Sequence, residues 1–251
     1  MSYNRIMKKS LIAINFDECI LKKGKVPFLT WIILKELLKN GHIVVFLTEL
    51  SIEESFKYLK KWHLFNYPFI PYNGAGIFYI NKRKFVTKCL FNEINLKELN
   101  DFLYHNKSNI ESCTLFFENE QKTLSEFTKN TIDSKPFRVI INVNQKDKIK
   151  TSLTKYKYLN FQEINTHSYE IRSSKSNSLE YILMLQKKYK IIDENVLCFG
   201  NSISDLDLLM HYHNVYKMQN SPLKNNINTT ESDINHNGVV KTLVKKHSDL
   251  F

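Results

Sequence analysis

The sequence predicts an α/β protein with a doubly wound parallel-sheet core and a second domain inserted into that core. Between residues 11 and 72, short apolar runs alternate with stretches of helical spacing, as in strands joined by crossover helices. The pattern becomes mixed between about residues 83 and 170 and then resumes. We therefore assign residues 1–82 and 171–251 to the core domain and residues 83–170 to an inserted α+β cap domain.

The composition indicates a globular chain without a membrane segment. Hydrophobic residues make up 43% of its 251 residues, which is ample for a core. No apolar run reaches the roughly 18–20 residues that span a bilayer. Residues 1–10 are polar and basic, and no small-residue cleavage site follows them, so we expect no signal peptide and a cytoplasmic location.

The charge and the cysteine content argue against a nucleic-acid-binding protein and against paired cysteines. The net charge is +11, but the lysines are spread in short groups without a long basic tail, so we expect no dedicated nucleic-acid partner. Cys19, Cys89, Cys113 and Cys198 form no CxxC pair, which indicates reduced, mostly buried thiols. The sequence carries no signal for oligomeric state.

Local signals place the elements of the first part of the chain. Pro27 suits the first turn of a helix that Gly41 caps, and Ser51 with Glu54 forms a capping box for the next helix. In chain order the predicted elements are a strand over 11–21, a helix over 26–40, a strand over 42–47, a helix from 51 to about 62, a strand over 67–72, a turn over 73–76 and a hairpin of 77–80 and 85–90.

The rest of the chain is assigned from the same periodicities. The predicted strands are 114–118, 137–144, 169–172, 195–199 and 214–218, and the predicted helices are 96–106, 146–156, 177–189, 203–210 and 239–246.

A polar cluster ends the first apolar run. Asn15 and Asp17 are two residues apart, so in an extended segment their side chains would share a face. Glu18 and Cys19 then turn the chain away. Open α/β sheets bind ligands at the carboxyl ends of their strands, which makes this cluster the candidate site.

This segment resembles the first motif of the haloacid dehalogenase (HAD) superfamily, in particular the Cof-like, subclass IIB sugar-phosphatase group. That motif is Asp-x-Asp-Gly-Thr, and here Asn15, Asp17, Glu18 and Cys19 stand at its four defined positions. In the family the first Asp attacks phosphorus and the second is the general acid/base. The resemblance therefore implies that Asn15 holds a degenerate nucleophile position and that Asp17 keeps its role.

The second and third motifs are carried over in the same way. Thr48, at the end of the second strand, matches the phosphoryl-binding Thr, but Glu49 stands where the family has Gly. Lys175 matches the phosphate-binding Lys ahead of a helix. Asn73 and Gly74 resemble the turn that precedes the cap, and we include them with Thr48, Glu49 and Lys175 as substrate-binding residues. Taken alone, neither signal is specific: a threonine is common after an apolar strand, and a solvated lysine is common near the start of a helix.

The fourth motif of the family, Gly-Asp-x-x-Asn-Asp, resembles residues 200–205, Gly-Asn-Ser-Ile-Ser-Asp. The implied Mg²⁺ site consists of Asn15, Asp17, Asn201 and Asp205, and it is degenerate because two side-chain carboxylates have become amides. Mg²⁺ prefers carboxylate and water oxygens. Glu18 and Glu49 lie near these residues in sequence and could rebuild a site or simply face solvent.

Three functions remain open at this stage. The first is a Cof-type phosphatase-like protein that binds a phosphorylated small molecule with impaired or lost catalysis. The second is an active Mg²⁺-dependent phosphatase with an atypical site, acting on sugar phosphates. The third is a non-catalytic interaction protein. Cys19 is interpreted as a buried structural thiol, and His211 with His213 as a surface pair.

Overall fold

The chain divides into two compact units. The computed structural model describes residues 9–59, 68–118, 120–224 and 227–251. One unit is Met1–Thr87 with Ser178–Phe251, and the other is Lys88–Asn177. The sequence placed the boundaries near 83 and 170. The second unit begins later, at Lys88, and also ends later, at Asn177. It ends later because the strand Ser168–Ser173 pairs with strands of that unit.

The predicted strands are present, and some further ones were missed. Within the described ranges the strands are β1 (Leu11–Asn15), β2 (Ile43–Leu47), β3 (Pro68–Ile70), β4 (Gly76–Tyr79), β5 (Lys84–Lys88), β6 (Ile110–Phe116), β7 (Gln121–Leu124), β8 (Arg138–Val143), β9 (Leu159–Asn165), β10 (Ser168–Ser173), β11 (Val196–Gly200), β12 (Asn214–Lys217) and β13 (Asn228–Thr229). The sequence missed β7, β9 and β13 because their residues are largely polar.

Apart from α1, where a strand was predicted, the α-helices are close to their predicted positions. In the same ranges they are α1 (Phe16–Cys19), α2 (Phe28–Lys39), α3 (Ile52–Leu59), α4 (Glu93–Asn106), α5 (Lys146–Leu153), α6 (Ser178–Tyr189), α7 (Leu206–His211) and α8 (Gly238–Lys246). The predicted end of α3 near residue 62 lies outside the described residues. None of the helices described is both long enough and apolar enough to cross a membrane.

The sheet of the first unit is doubly wound, as the alternating pattern predicts. Its order is β13-β12-β11-β1-β2-β3-β4-β5. Strands from β13 to β3 run parallel, and β4 is antiparallel to β3. The chain leaves β1 towards β2 and later returns to the other side of β1 at β11. A sheet wound in this way opens a crevice at the carboxyl ends of β1 and β11.

The central strands are apolar because both of their faces are covered. All five residues of β1 and all five of β11 are buried. The register aligns Leu11 with Ile43 on one side and with Val196 on the other. On the helical layers, α2 packs against α8 and α6 against α7. A polar side chain at the end of such a strand, like that of Asn15, needs its own hydrogen-bond partners.

The first strand is shorter than predicted. It ends at Asn15, and residues Phe16–Cys19 form the helical turn α1. The prediction that Asn15 and Asp17 share a face of one extended segment is therefore wrong. The physical reason is a helix cap: the Asn15 side chain accepts a hydrogen bond from the backbone N–H of Glu18, which turns the chain into α1.

Other local signals were correct. The Ser51 hydroxyl accepts from the Glu54 N–H at 3.1 Å, and the Glu54 carboxylate accepts from the Ser51 N–H at 2.9 Å, which is the predicted capping box. Gly41 follows α2 with a φ of +83°, the left-handed conformation that favours glycine after a helix. Pro27 precedes α2 as its cap instead of lying in its first turn.

The second unit is an antiparallel sheet with helices on one face. Its strand order is β7-β6-β8-β10-β9. Leu99, Phe102 and Leu103 of α4 and Ile149 of α5 are buried against apolar residues of the strands. The unit thus has a hydrophobic core of its own, as expected of an α+β domain.

Candidate active site at the strand ends

Asn15 connects the end of β1 with the loop after β11. Its Nδ2 donates a 2.8 Å hydrogen bond to Oδ2 of Asp205, and its Oδ1 accepts from the Glu18 N–H at 3.1 Å. The opposite amide orientation would place N–H against N–H and oxygen against carboxylate. The two bonds therefore define the orientation, and Asn15 is a donor, not an acceptor, towards Asp205.

Asp17 is held by the end of β2. The Thr48 hydroxyl donates to both carboxylate oxygens of Asp17, at 2.6 and 2.5 Å. The Glu49 N–H donates to Oδ2 at 2.9 Å. Thr48 is 2% exposed, so its hydroxyl needs a partner within the protein, and Asp17 supplies it.

The loop that follows β11 wraps around the carboxylate of Asp205. Oδ2 of Asp205 accepts from the N–H groups of Asn201 and Ser202 at 2.8 and 3.0 Å, and from the Ser202 hydroxyl at 2.9 Å. Gly200 makes this approach possible, because a Cβ at that position would lie 2.7 Å from the Cβ of Asp205. With the bond from Asn15, this one oxygen accepts four hydrogen bonds.

Burial and like charge govern the protonation of the site. Burial raises the pKa of Asp17 to about 6, against the hydrogen bonds from Thr48 and Glu49. Burial, and then the charges of Asp205 and Glu49, raise the pKa of Glu18 to about 7, against a hydrogen bond from the Asn201 side chain. Burial also raises the pKa of Asp205. The site therefore holds carboxyl groups that ionise reluctantly at neutral pH.

The turn at residues 73–74 borders the same strand ends. The Asn73 N–H donates to the carbonyl of Thr48 at 2.9 Å, and the Gly74 N–H donates to the carbonyl of Pro71 at 3.2 Å. Tyr72 and Asn73 both have a φ of +51°, in the left-handed region. The tight turn thus places Asn73 beside Thr48 at the end of β2. Its role in binding a substrate stays a prediction.

Lys175 lies in the other unit, Lys88–Asn177. Its side chain is exposed, and its backbone N–H donates to the Ser173 hydroxyl at 3.3 Å. Its role as the phosphate-binding lysine stays a prediction. The first unit alone brings together Asn15, Asp17, Thr48, Glu49, Asn73, Asn201 and Asp205.

The structure agrees with the interpretation of Cys19 as a buried structural thiol and of His211 with His213 as a surface pair. Cys19 is 3% exposed, and burial raises the pKa of its thiol well above the ordinary value, so the reactive thiolate is disfavoured. Of the four cysteines, Cys89 is half-buried and the others are buried, and all are free thiols. His211 and His213 are exposed.

Ser202 was not singled out from the sequence. Its hydroxyl bonds Asp205 and lies 2.7 Å from the hydroxyl of Ser204. Ser202 and Asp205 form a capping box, with each side chain bonded to the backbone of the other residue. The Ser-x-x-Asp spacing ahead of the apolar residues of α7 was the signal that could have found it.

A doubly wound sheet with Asn15, Thr48 and Asp205 gathered at its strand ends defines an α/β protein with a Rossmann-like ligand site. The chain belongs to the haloacid dehalogenase-like hydrolase family, whose model matches residues 12–137 and 105–243. This hydrolase family includes phosphatases. The HAD assignment made from the motifs is confirmed. The search of curated proteins finds no match.

Solved structures of HAD proteins share the whole fold. A HAD phosphatase, BT1666 from Bacteroides thetaiotaomicron, is 12% identical over 100% of this chain and 98% of that protein, with a TM-score of 0.81. A HAD subclass IIB sugar phosphatase, BT4131, is 14% identical over 97% and 100%, with a TM-score of 0.76. A haloacid dehalogenase-like hydrolase from B. subtilis is 14% identical over 94% and 99%, with a TM-score of 0.78.

Phosphotransferases of this superfamily typically use Mg²⁺, and the residues at these strand ends do not fit it. The two positions expected to offer side-chain carboxylates are the neutral amides Asn15 and Asn201. Oδ2 of Asp205 already accepts four protein donors. Within the described part of the chain no three His, Cys, Asp or Glu side chains are grouped so as to hold a metal.

Proposed function

We propose that this chain is a HAD-family, Cof-type protein that binds a phosphorylated small molecule and has lost most or all of its phosphoryl-transfer activity. The hydrogen bond from Asn15 to Asp205 carries this proposal. Phospho-enzyme formation needs an anionic carboxylate at the first motif position. The residue there is neutral, and its nitrogen is directed towards Asp205.

The same amides favour binding without a metal. A phosphate dianion is repelled by each carboxylate in the site, and each unit charge pair at about 4 Å is worth roughly 4 kcal/mol at an effective dielectric of 20. Asn15 and Asn201 remove two such charges. The remaining carboxyl groups, including Asp17 and Glu18, still oppose binding, so we assign the compensating positive charge to Lys175.

The ligand class follows from the family and the fold. BT4131, whose fold this chain shares, is a sugar phosphatase. This similarity supports a phosphorylated sugar or a similar metabolite as the ligand here. The turn at Asn73 and Gly74, bonded next to Thr48, supports its placement at the carboxyl ends of β1 and β2.

One observation favours an active phosphatase with an atypical site. Asp17 keeps the acid/base position of the family, and its pKa of about 6 is near the value that proton transfer at neutral pH requires. In that case water, and not Asn15, would be the attacking group. This second candidate needs measurable turnover that depends on Asp17.

A phosphate-release assay on a panel of sugar phosphates, with and without Mg²⁺, tests the proposal. We expect the wild type to match its Asp17→Asn variant, because neither has a nucleophile. Turnover in the wild type that Asp17→Asn abolishes would overturn the proposal in favour of the active enzyme. A rise in melting temperature with inorganic phosphate is also expected, since a ligand of the native state stabilises it. No rise would favour an interaction protein.

A further inference from the structure

A groove in the second unit shares no lining residue with the strand-end site. It has a volume of about 870 Å³ and lies along the side of α4 that carries Lys97, Asp101 and Tyr104. The other side of α4 packs into the core through residues such as Leu99 and Phe102. Pockets of several hundred Å³ are the usual size for small-molecule ligands.

Three lysines from separate segments converge on this groove. Lys97 lies on α4, Lys129 lies in the loop after β7, and Lys155 follows α5. All three side chains are exposed, and Nζ of Lys129 lies 5.6 Å from the ring centroid of Tyr104. In the part of the chain that the structure describes, none of the three forms an ion pair.

The two carboxylates of the groove are already engaged by the protein. Oε2 of Glu98 accepts from the backbone N–H of Tyr158 at 2.9 Å. Oδ2 of Asp101 accepts from the Tyr156 hydroxyl at 3.1 Å, and Oδ1 lies 3.3 Å from Nδ1 of His105. The acidic groups are thus oriented by neighbours within the unit, and the ammonium groups are left to bind a ligand.

We propose that this groove is a binding site for a small phosphate-bearing molecule, with Lys97, Lys129 and Lys155 as its anion-binding residues. Ammonium groups are compact point charges that bind phosphate oxygens well. The three ammonium groups outnumber the two carboxylates of the groove, so the net attraction grows with the charge of the anion. A ligand with several negative charges on one group, such as a diphosphate, therefore fits best. The proposal uses no strand-end residue, and its failure leaves the proposed function untouched.

The test is an NMR titration of the whole chain, labelled in its tyrosine rings, with inorganic pyrophosphate and without Mg²⁺. The Tyr104 signal is assigned with a Tyr104→Phe variant. We expect it to shift saturably in the wild type. In the triple variant Lys97→Gln, Lys129→Gln and Lys155→Gln, affinity at this signal should fall about tenfold or more.

The matched control is Lys122→Gln, Lys135→Gln and Lys148→Gln, which changes the net charge equally at exposed lysines of the same unit outside the groove. It should stay within about twofold of the wild type, since general attraction between distant exposed charges is screened by salt. An equal loss in both triples, no shift of Tyr104 in the wild type, or equal binding of citrate would overturn a phosphate site. Circular dichroism verifies that both triples are folded.

Discussion

Nδ2 of Asn15 lies 2.8 Å from Oδ2 of Asp205, a residue 190 positions later in the chain, and donates a hydrogen bond to it. With a carboxylate at position 15, two carboxylates would face each other at hydrogen-bond distance. Like charges that close cannot both ionise without a cation between them. The amide at position 15 avoids this repulsion, and under the proposed function it also stands in place of the carboxylate that would attack phosphorus.

Activity should be recovered only when both amides are changed. Asn15→Asp alone supplies a nucleophile but leaves the negative charge of the phosphate poorly neutralised. Asn201→Asp alone supplies a metal ligand, but no nucleophile is present for the metal to assist. Residues that act as a unit are strongly non-additive, and loss of a nucleophile costs about 10⁴- to 10⁶-fold in turnover. We expect the double variant, with Mg²⁺, to exceed the sum of the singles by well over tenfold.

Release of phosphate from sugar phosphates by the wild type, both singles and the double measures this effect. Glu18 stands at the place of the family glycine and adds side-chain bulk there, so the double variant is also made with Glu18→Gly. A wild type as fast as the double variant would contradict the loss of activity.

Binding of phosphate should be independent of Mg²⁺, because Oδ2 of Asp205 already accepts four protein hydrogen bonds and Asn15 is neutral. The shift in melting temperature caused by inorganic phosphate should be the same in Mg²⁺ and in chelator. The Asn15→Asp, Asn201→Asp variant serves as the comparison, since it should acquire a dependence on Mg²⁺. A wild-type shift that disappears in chelator would show that a metal site exists.

Stability should fall as the pH rises from about 4.5 to about 7. Glu18 has a pKa of about 7 in the folded chain against an ordinary 4.5, mainly because of burial. The folded state therefore holds this proton more tightly than the unfolded state, and the stabilising difference is lost as the pH rises through the folded value. One pKa unit corresponds to about 1.4 kcal/mol. With a discount for partial exposure, Glu18→Gln should gain about 1–2 kcal/mol at high pH.

Urea unfolding of the wild type and Glu18→Gln at acidic and alkaline pH checks this prediction. The gain should vanish below about pH 4.5, where the glutamate is protonated in both states. The exposed carboxylate of Glu180 provides the control, as Glu180→Gln should show no such dependence. An equal gain at both pH values would point to packing instead of ionisation.

Gly200→Ala should damage the site. Its Cβ would lie 2.7 Å from the Cβ and 3.0 Å from Oδ2 of Asp205. Overpacking of this kind costs about 1–3 kcal/mol, and here it also displaces the carboxylate that Asn15 bonds. We expect weaker phosphate binding, measured by calorimetry, as well as a lower melting temperature.

Gly41→Ala is the matched control for this prediction. A Cβ at Gly41 meets nothing within 4 Å, but its φ of +83° is strained for alanine, so stability should fall by about 1 kcal/mol. Phosphate binding should stay unchanged, because Gly41 follows α2 and touches no site residue. Equal effects of both variants on binding would mean that general stability, and not the position of Asp205, controls the site.

The sheet was predictable because its signal is local. Each buried strand needs a short apolar run on its own, and the runs around Ile12, Val45 and Leu197 are of that kind. The strands β7 and β9 were missed because β7 is mostly exposed and β9 is polar along most of its length. Such strands are stabilised by pairing with a neighbouring strand. That neighbour is not encoded in the strand's own sequence, so the strand could not be predicted from it.

Sequence motifs predicted which residues lie near the strand ends, but they did not predict the hydrogen bonds between those residues. Matching motifs identified Asn15, Thr48 and Asp205, and the structure brings them to the same strand ends. The helical turn after Asn15 was missed because one side-chain cap decides between strand and helix there. The direction of the Asn15 amide towards Asp205 depends on a contact across 190 residues, which no local pattern encodes.

The helix cap that Asn15 forms also affects the chemical stability of its side-chain amide. In asparagine deamidation the next backbone nitrogen, here that of Phe16, attacks the side-chain carbonyl carbon and expels ammonia, which leaves a cyclic imide. Water then opens this ring to give aspartate or isoaspartate. Hydrogen bonds at both ends of the Asn15 amide hold that carbon in place and slow this chemistry. A stored preparation should therefore keep its amide here. Mass spectrometry of the peptide that contains Asn15 shows whether residue 15 is still the encoded asparagine or has become aspartate by deamidation.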